Sequence, residues 1–418
     1  MKLNSLTTRI LAGLVAGLVL GALLPGFHLA AQDQIVQTAD ALGGVWLDAL
    51  RMTIIPLVFA LLVVGVAQLA GTVRAGGFTV QVLLAFGGLL ILSTVVAVVA
   101  TFALLQVWPA PAQAAQALRA SAHGAATTLP ASPPFGEMLR NFVPANPIRA
   151  ASDGNMAALV VFALVFGIAA TRLEEHRRDA LFRFFDAVQA AMMVIVGWVL
   201  WAGPLGVFFL ALVVGAKTGF GAVGVLGQYV VVVSIMCLLA GVIGLIVAVV
   251  GGRVAPGKLI EALIPVSAMA ISTQSSLASL PVMLEATEKL GVPERVRGLV
   301  LPMAVALFRI TSPAGNIAVV IYGAHIYGVP LDLPHIAAGV LVAVLVSLAA
   351  VGVASSITFF TTLVPISMVM GAPMNLLPLL IAVETLPDFS RTIGNVYGDV
   401  GIASWAARWT RRQAPADA

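Results

Sequence analysis

Residues 384–399 read ETLPDFSRTIGNVYGD, and five of them carry a polar pattern: Glu384, Asp388, Arg391, Asn395 and Asp399. Their spacings are 4, 3, 4 and 4 residues. At about 100° per residue, a helix gathers all five into a wedge of roughly 80°. The flanks, LLPLLIAVE before and VGIASWAA after, are apolar enough to lie in a membrane. Charge of this density is costly in lipid, so the stripe must face protein, water or a ligand.

The rest of the chain sets the class. It has 418 residues, 60% of them hydrophobic and 10% charged. A soluble core does not need that much apolar sequence. Apolar runs of membrane-spanning length recur: Arg9–Phe27, Met52–Leu69, Val80–Leu105, Met156–Ala170, Ala191–Val214, Val223–Val250, Leu299–Ala324 and Ile336–Phe360. The single Cys237 rules out an internal disulfide. Lys2 and Arg9 ahead of LAGLVAGLVLGALL also fit a secretory signal, but a first membrane helix suits the many-spanned remainder better.

The net charge of +4 matters through its placement. Basic residues cluster at Lys2/Arg9, Arg74, Arg172–Arg183, Arg253/Lys258, Lys289–Arg297 and Arg408–Arg412. These are mostly alternate connections, which places them and both termini on the cytoplasmic side of an inner membrane. The lipid bilayer is then the expected partner, and nucleic acid is not. The Ala/Pro-rich stretch Trp108–Arg149 should be external, although Arg119, Arg140 and Arg149 run against the charge rule.

Three apolar stretches are interrupted after residue 250. The first interruption is the run Ser272-Thr-Gln-Ser275-Ser276-Leu-Ala-Ser279-Leu-Pro281, and the second is Thr361-Thr-Leu-Val364-Pro365. An arginine follows each, Arg309 and Arg391 respectively. Paired broken segments point to a transporter's binding site, where half-helix N-termini meet an anion. The third is Phe308-Arg309-Ile-Thr-Ser312-Pro313-Ala-Gly315-Asn316, in which Pro313 and Gly315 should break the helix and free carbonyls. Arg309 stays charged and needs an anionic partner.

Here the residues resemble the glutamate transporters, or dicarboxylate/amino acid:cation symporters. Arg51-Met-Thr-Ile-Ile-Pro56 through Gly65 is similar to that family's second helix, and Pro144-Ala-Asn-Pro147 with the run from Val161 is similar to its fourth. The serine run ending Leu280-Pro281 resembles its first hairpin tip. Asp388-Phe-Ser-Arg391-Thr392-Ile-Gly-Asn395-Val-Tyr-Gly-Asp399 resembles the last-helix signature D-x-x-R-T-x-x-N-x-x-x-D.

The resemblance implies an all-α polytopic membrane protein: eight transmembrane helices plus two re-entrant helical hairpins, forming a homotrimeric elevator-type transporter. Residues 1–75 and 151–218 would be scaffold, and 107–150 an external loop. Residues 76–106 and 219–252 would supply helices 3 and 6 of the transport domain. Residues 253–418 would be the substrate-binding core of hairpin 1, helix 7, hairpin 2 and helix 8.

It also implies site roles. Arg391 would grip the substrate's side-chain carboxylate, a contact suited to a guanidinium fork. Asp388 would take its ammonium, and Thr392 and Asn395 would be neighbouring contacts. Ser275 and Ser276 at the first hairpin tip, Ser312, and Val364-Pro365 at the second tip would complete the set. Together these imply an acidic amino acid substrate and no cofactor. A packing role for an Asp388–Arg391 ion pair is the plain structural alternative.

One departure separates this chain from the pattern. The family's sodium motif is NMDGT, and counting from Leu301-Pro302 this chain has Phe308-Arg309-Ile310-Thr311-Ser312 there. The sodium sites therefore read as lost, with no metal held. Arg309 would supply the cation's charge to Asp399 and Glu384, and transport would be sodium-independent, either uncoupled or driven by H+ through Glu384 or Asp388. A hidden sodium site using Ser93 and Thr94 is the competing reading. So is a sodium-coupled carrier of C4-dicarboxylates or neutral amino acids. An intramembrane enzyme using Glu384 and Asp388, or Ser275, is disfavoured because no His or Lys is spaced to activate a serine.

Overall fold

The computed structural model describes residues 6–27, 31–73, 77–110, 115–116, 143–153, 156–219, 221–349, 355–374 and 376–413. Lys2, His28, Arg74, Arg119, Arg140 and most of the loop expected over 107–150 lie outside them. The described residues are helical, without strands.

Six helices come from the first half: α1 (Leu6–Leu23), α2 (Gln32–Arg51), α3 (Ile54–Val73), α4 (Gly77–Val107), α5 (Pro147–Ser152) and α6 (Met156–Ala170). Then follow α7 (Glu175–Trp201), α8 (Gly203–Thr218) and α9 (Gly221–Ile246), which ends in a π-helical turn at Val247–Gly251. The last part holds α10 (Pro256–Thr273), α11 (Leu280–Lys289), α12 (Glu294–Leu307), α13 (Thr311–Tyr327), α14 (Leu333–Ala349), α15 (Ser355–Met370), α16 (Leu377–Val383) and α17 (Thr385–Gln413). Among the described residues, five stretches are long and apolar enough to cross a membrane: Thr8–Phe27, Gly77–Val107, Glu175–Trp201, Val223–Gly251 and Glu294–Tyr327.

Packing divides the helices into groups. α1 lies along α8, which also packs on α2, while α3 packs on α6 and α7. The other group centres on α13, which touches α4, α9, α14, α15 and α17. Nearly every residue of α13 is buried, including Thr311, Ser312 and Asn316. A helix buried all round has no wet face, so its polar residues must be satisfied by protein or ligand.

Two of the three expected interruptions fall where the sequence puts them. α10 and α11 pack together and are joined by Gln274–Ser279, with Gln274 in the left-handed region at φ 49°. α12 and α13 are separated by Phe308-Arg309-Ile310. The break precedes Pro313, which sits in the first turn of α13, where a missing N–H costs nothing.

Other expectations need correction. Thr361–Pro365 is not a tip: it lies inside α15, with Leu363, Val364 and Ile366 buried. Burying these apolar side chains outweighs the hydrogen bond that Pro365 removes. The apolar run Ile336–Phe360 is instead divided between α14 and α15, which pack on each other; residues 350–354 between them lie outside the described residues. The expected span Ala191–Val214 is also two helices, parted at Ala202, because Pro204 cannot donate to the preceding turn. α2 was not anticipated, since its polar residues hide it from a hydropathy reading.

Two crossings are backbone-tight. A Cβ at Gly13, Gly17 or Gly21 of α1 would lie 2.4, 2.3 or 2.2 Å from a carbonyl oxygen of α8. On α9, Gly241 and Gly244 meet Gly394 and Gly398 of α17 with similar closeness. Such small-residue stripes are how helices associate in lipid, where contact and not water exclusion does the work. Gly17→Leu should lower the thermal midpoint of the detergent-purified protein, by overpacking worth about 1–3 kcal/mol or more. Gly44→Ala, where a Cβ meets nothing within 4 Å, should leave it unchanged or slightly raised.

Candidate functional site in the α13–α17 core

The stripe that opens the sequence is buried. Relative exposures are 5% for Glu384, 9% for Asp388, 6% for Arg391, 4% for Asn395 and 1% for Asp399. Four of these residues lie on α17, while Glu384 sits at the junction with α16. From there Glu384 still reaches the same face, seven residues before Arg391.

Arg391 is the hub. Its Nη2 meets Glu384 Oε1 at 2.6 Å and its Nη1 donates to Asn316 Oδ1 at 3.2 Å. Asp388 is farther away, with Oδ1 3.9 Å from Nε. The other oxygen of Glu384 accepts a short hydrogen bond from the Tyr229 hydroxyl on α9. The tight ion pair is thus with Glu384, not Asp388. Gly315 makes room for the guanidinium, since a Cβ there would lie 3.1 Å from Nη1 and 3.0 Å from Cys237 Sγ.

A small cavity of about 10 Å3 opens beside this hub, lined by Arg309, Ser312, Asn316, Phe359, Thr362, Glu384 and Arg391. That is the space one water requires. It brings together Arg309, Ser312, Glu384 and Arg391 from the sequence expectations. Asn316 and Thr362 lie in the interrupted runs read from the sequence but had been given no role of their own, and Phe359 and the supporting Tyr229 had been given none either. A Gln228-Tyr229 pair inside an apolar run was the available signal.

The remaining expected residues do not line the cavity. Thr392 donates to its own helix at Asp388 O, 2.9 Å away. Asn395 Oδ1 accepts from the Thr311 N–H at 3.1 Å and the Thr311 hydroxyl at 2.9 Å. It therefore caps the interrupted helix end, where otherwise unpaired N–H groups collect. Ser275 and Ser276 are half-buried in the α10–α11 link. That link is tied to the start of α17, with Gln274 Nε2 donating to Thr385 O at 3.2 Å. Val364 and Pro365 are packed within α15. Tyr322, read from sequence as an interface anchor, is instead buried and donates to Val225 O at 2.6 Å; Trp198 and Trp201 are exposed.

The lower half of the stripe holds Asp399. Its two carboxylate oxygens have no hydrogen-bond partner among the described residues. It lies within the field of Arg309, whose charge is also felt by Asp388. Hard cations ask for several converging oxygens. Here the Asn395 oxygen is taken by Thr311. The Ser93 hydroxyl donates to Ile310 O at 3.1 Å, and Thr94 donates to Leu90 O at 2.6 Å.

Comparison with known proteins places this site in context. Residues 6–409 match the model of the sodium:dicarboxylate symporter family. The human neutral amino acid transporter A is 30% identical over 96% of this chain and 81% of its own length. The proton/sodium-glutamate symport protein of Bacillus subtilis is 26% identical over 99% of this chain and 94% of its own. The proton/glutamate-aspartate symporter of Escherichia coli is 26% identical over 98% and 95%. These relatives are transporters, not enzymes. With its family match spanning nearly the whole chain, this protein belongs to the sodium:dicarboxylate symporter family of membrane transporters.

Proposed function

We propose that the chain is a secondary active transporter of acidic amino acids, aspartate or glutamate, that works without sodium and is coupled to protons through Glu384. The observation that carries this reading is the cavity lined by Arg309, Arg391 and Glu384, in which Glu384 holds Arg391 at 2.6 Å. A substrate carboxylate and Glu384 compete for the Arg391 fork. Protonating Glu384 weakens its hold on Arg391 and leaves the neutral acid beside Tyr229. The proton thus opens the guanidinium to the substrate. Arg309 stands where the family motif has a Met, and holds positive charge near Asp399 in place of a bound cation.

Further parts of the reading rest on family resemblance and on the helix grouping. The chain works as a homotrimer in an inner membrane, with both termini cytoplasmic. α1–α3 and α6–α8 serve as scaffold, and α4 with α9–α17 moves as the transport unit in an elevator cycle. Asp388 takes the substrate's ammonium. Ser275, Ser276, Ser312, Thr392 and Asn395 are recruited when the site opens. An amino acid does not fit a water-sized cavity, so the wall formed by Phe359 and Thr362 of α15 has to move.

A second reading, carriage of neutral amino acids, is favoured by two observations. Glu384 already neutralises Arg391, and a 30% identical relative is a neutral amino acid transporter. Titrating the purified protein with aspartate, glutamate, succinate and serine separates the substrate readings, and tight binding of serine alone would establish the neutral one.

Uptake of labelled aspartate into proteoliposomes should be unaffected by an inward sodium gradient and raised by acidifying the outside. Strong stimulation by sodium would overturn the reading. Glu384→Gln should remove the response to acid while leaving exchange of internal for external aspartate. Arg391→Ala strands Glu384 and removes the anion grip, so aspartate binding should weaken by about 30-fold or more.

A further inference from the structure

Two apolar grooves flank the end of α9. The first lies between α9, α10 and α17, holds about 550 Å3, and is lined by Leu245, Val249, Leu263, Ile264 and Tyr397 among others. The second lies between α4, α9 and α17, holds about 450 Å3, and is lined by Gly88, Leu92, Val250, Ile402 and Trp405 among others. Both fall in the range of ligand sites, ~300–1,000 Å3. The polar pair on the wall of the first is satisfied within the protein. Ser267 Oγ donates to Leu263 O at 2.8 Å, so the Tyr397 hydroxyl, 2.9 Å away, donates to Ser267. The depth of both grooves therefore suits hydrocarbon.

The grooves meet at the π-helical turn Val247–Gly251, with Val249 on the first and Val247 and Val250 on the second. That end is different in character. Arg253 follows the turn, exposed and in the left-handed region at φ 56°. Few residues other than glycine adopt that backbone, and such positions cluster at functional sites. Arg408 of α17 reaches the same turn, its Nη1 donating to Val250 O at 3.3 Å and Gly251 O at 3.0 Å. α10 begins three residues after Arg253, and its N-cap Ala255 makes no side-chain hydrogen bond, which leaves N–H groups at this end.

On the elements that line the grooves, this end carries Arg253, Lys258 and Arg408 against one acid, Glu261. The acids of α17, Asp388 and Asp399, are buried in the core. Arg253 makes no ion pair among the described residues. Aromatic rings mark the depth: Trp405 stacks on Trp409, and Trp409 on Phe78, each with centroids 6.2 Å apart. Tryptophan collects where hydrocarbon gives way to headgroups.

We propose that one anionic phospholipid straddles the π-helical end of α9, with its two acyl chains in the two grooves and its phosphate between Arg253 and Arg408. Two apolar channels that leave one basic point match a two-chained lipid with an acidic head. A single-chained lipid fills only one of them, and free phosphate neither. No helix of the group formed by α1–α3 and α6–α8 lines either groove, so the lipid belongs to one helix group and does not bridge the two.

The full-length detergent-purified protein would be titrated with phosphatidylglycerol, phosphatidylcholine of the same chains, lysophosphatidylglycerol and inorganic phosphate. Thermal midpoints report binding, and native mass spectrometry counts the retained lipid. Phosphatidylglycerol should raise the midpoint saturably at one molecule per chain, and the other three should do less. Arg253→Gly removes the guanidinium, and glycine accepts φ 56° without strain. Its lipid-free midpoint should hold while its affinity for phosphatidylglycerol falls about fivefold or more. Gly88→Leu fills the second groove at a place where a Cβ meets nothing within 4 Å, and should erase the preference for two chains over one. Equal shifts with phosphatidylcholine, equal shifts with phosphate alone, or unchanged phosphatidylglycerol affinity in Arg253→Gly would overturn the site. If Arg253→Gly lowers the lipid-free midpoint, Arg253→Gln supplies the same comparison.

Discussion

A guanidinium buried in the middle of a membrane protein cannot shed its proton, and everything around Arg391 follows from that. Glu384 balances it at 2.6 Å, Asn316 accepts from it, and Gly315 clears the space it fills. Tyr229 then holds the far side of the balancing carboxylate. A buried pair of this kind seldom stabilises a fold on net, because desolvating two charges costs about as much as their attraction returns. Its retention makes sense where one partner has to be exchanged for another, as a transporter's site requires.

The same constraint explains the broken helices. Continuous helices consume their own backbone groups and have none to offer a polar site. The pause at Phe308–Ile310 frees a carbonyl for Ser93 and a helix start for Asn395. The link at Gln274–Ser279 puts serines and a glutamine beside the start of α17. Polar side chains and interrupted backbone thus occur together at both places.

How much of this was legible in the sequence depends on the kind of signal. The stripe from Asp388 to Asp399 follows a helical period with no competing pattern, and it falls as expected on one buried face. The serine run announces its break through side chains that compete with helix for hydrogen bonds. The division of Ile336–Phe360 between α14 and α15 was missed because the run reads as one apolar stretch, whereas the Pro365 that seemed to mark a tip is absorbed into α15. Asn316 and Tyr229 were passed over for another reason: single polar residues in apolar runs gain meaning only from what faces them across 75 and 155 residues of chain.

The glycine crossings have a mechanical consequence. Where α1 meets α8, and where α9 meets α17, backbone rests on backbone and neither helix can slide without striking the other's peptide groups. Between the two groups, contacts such as α3 with α14 and α15 are made over shorter stretches. The tightest backbone approaches therefore lie inside each group and not between the two.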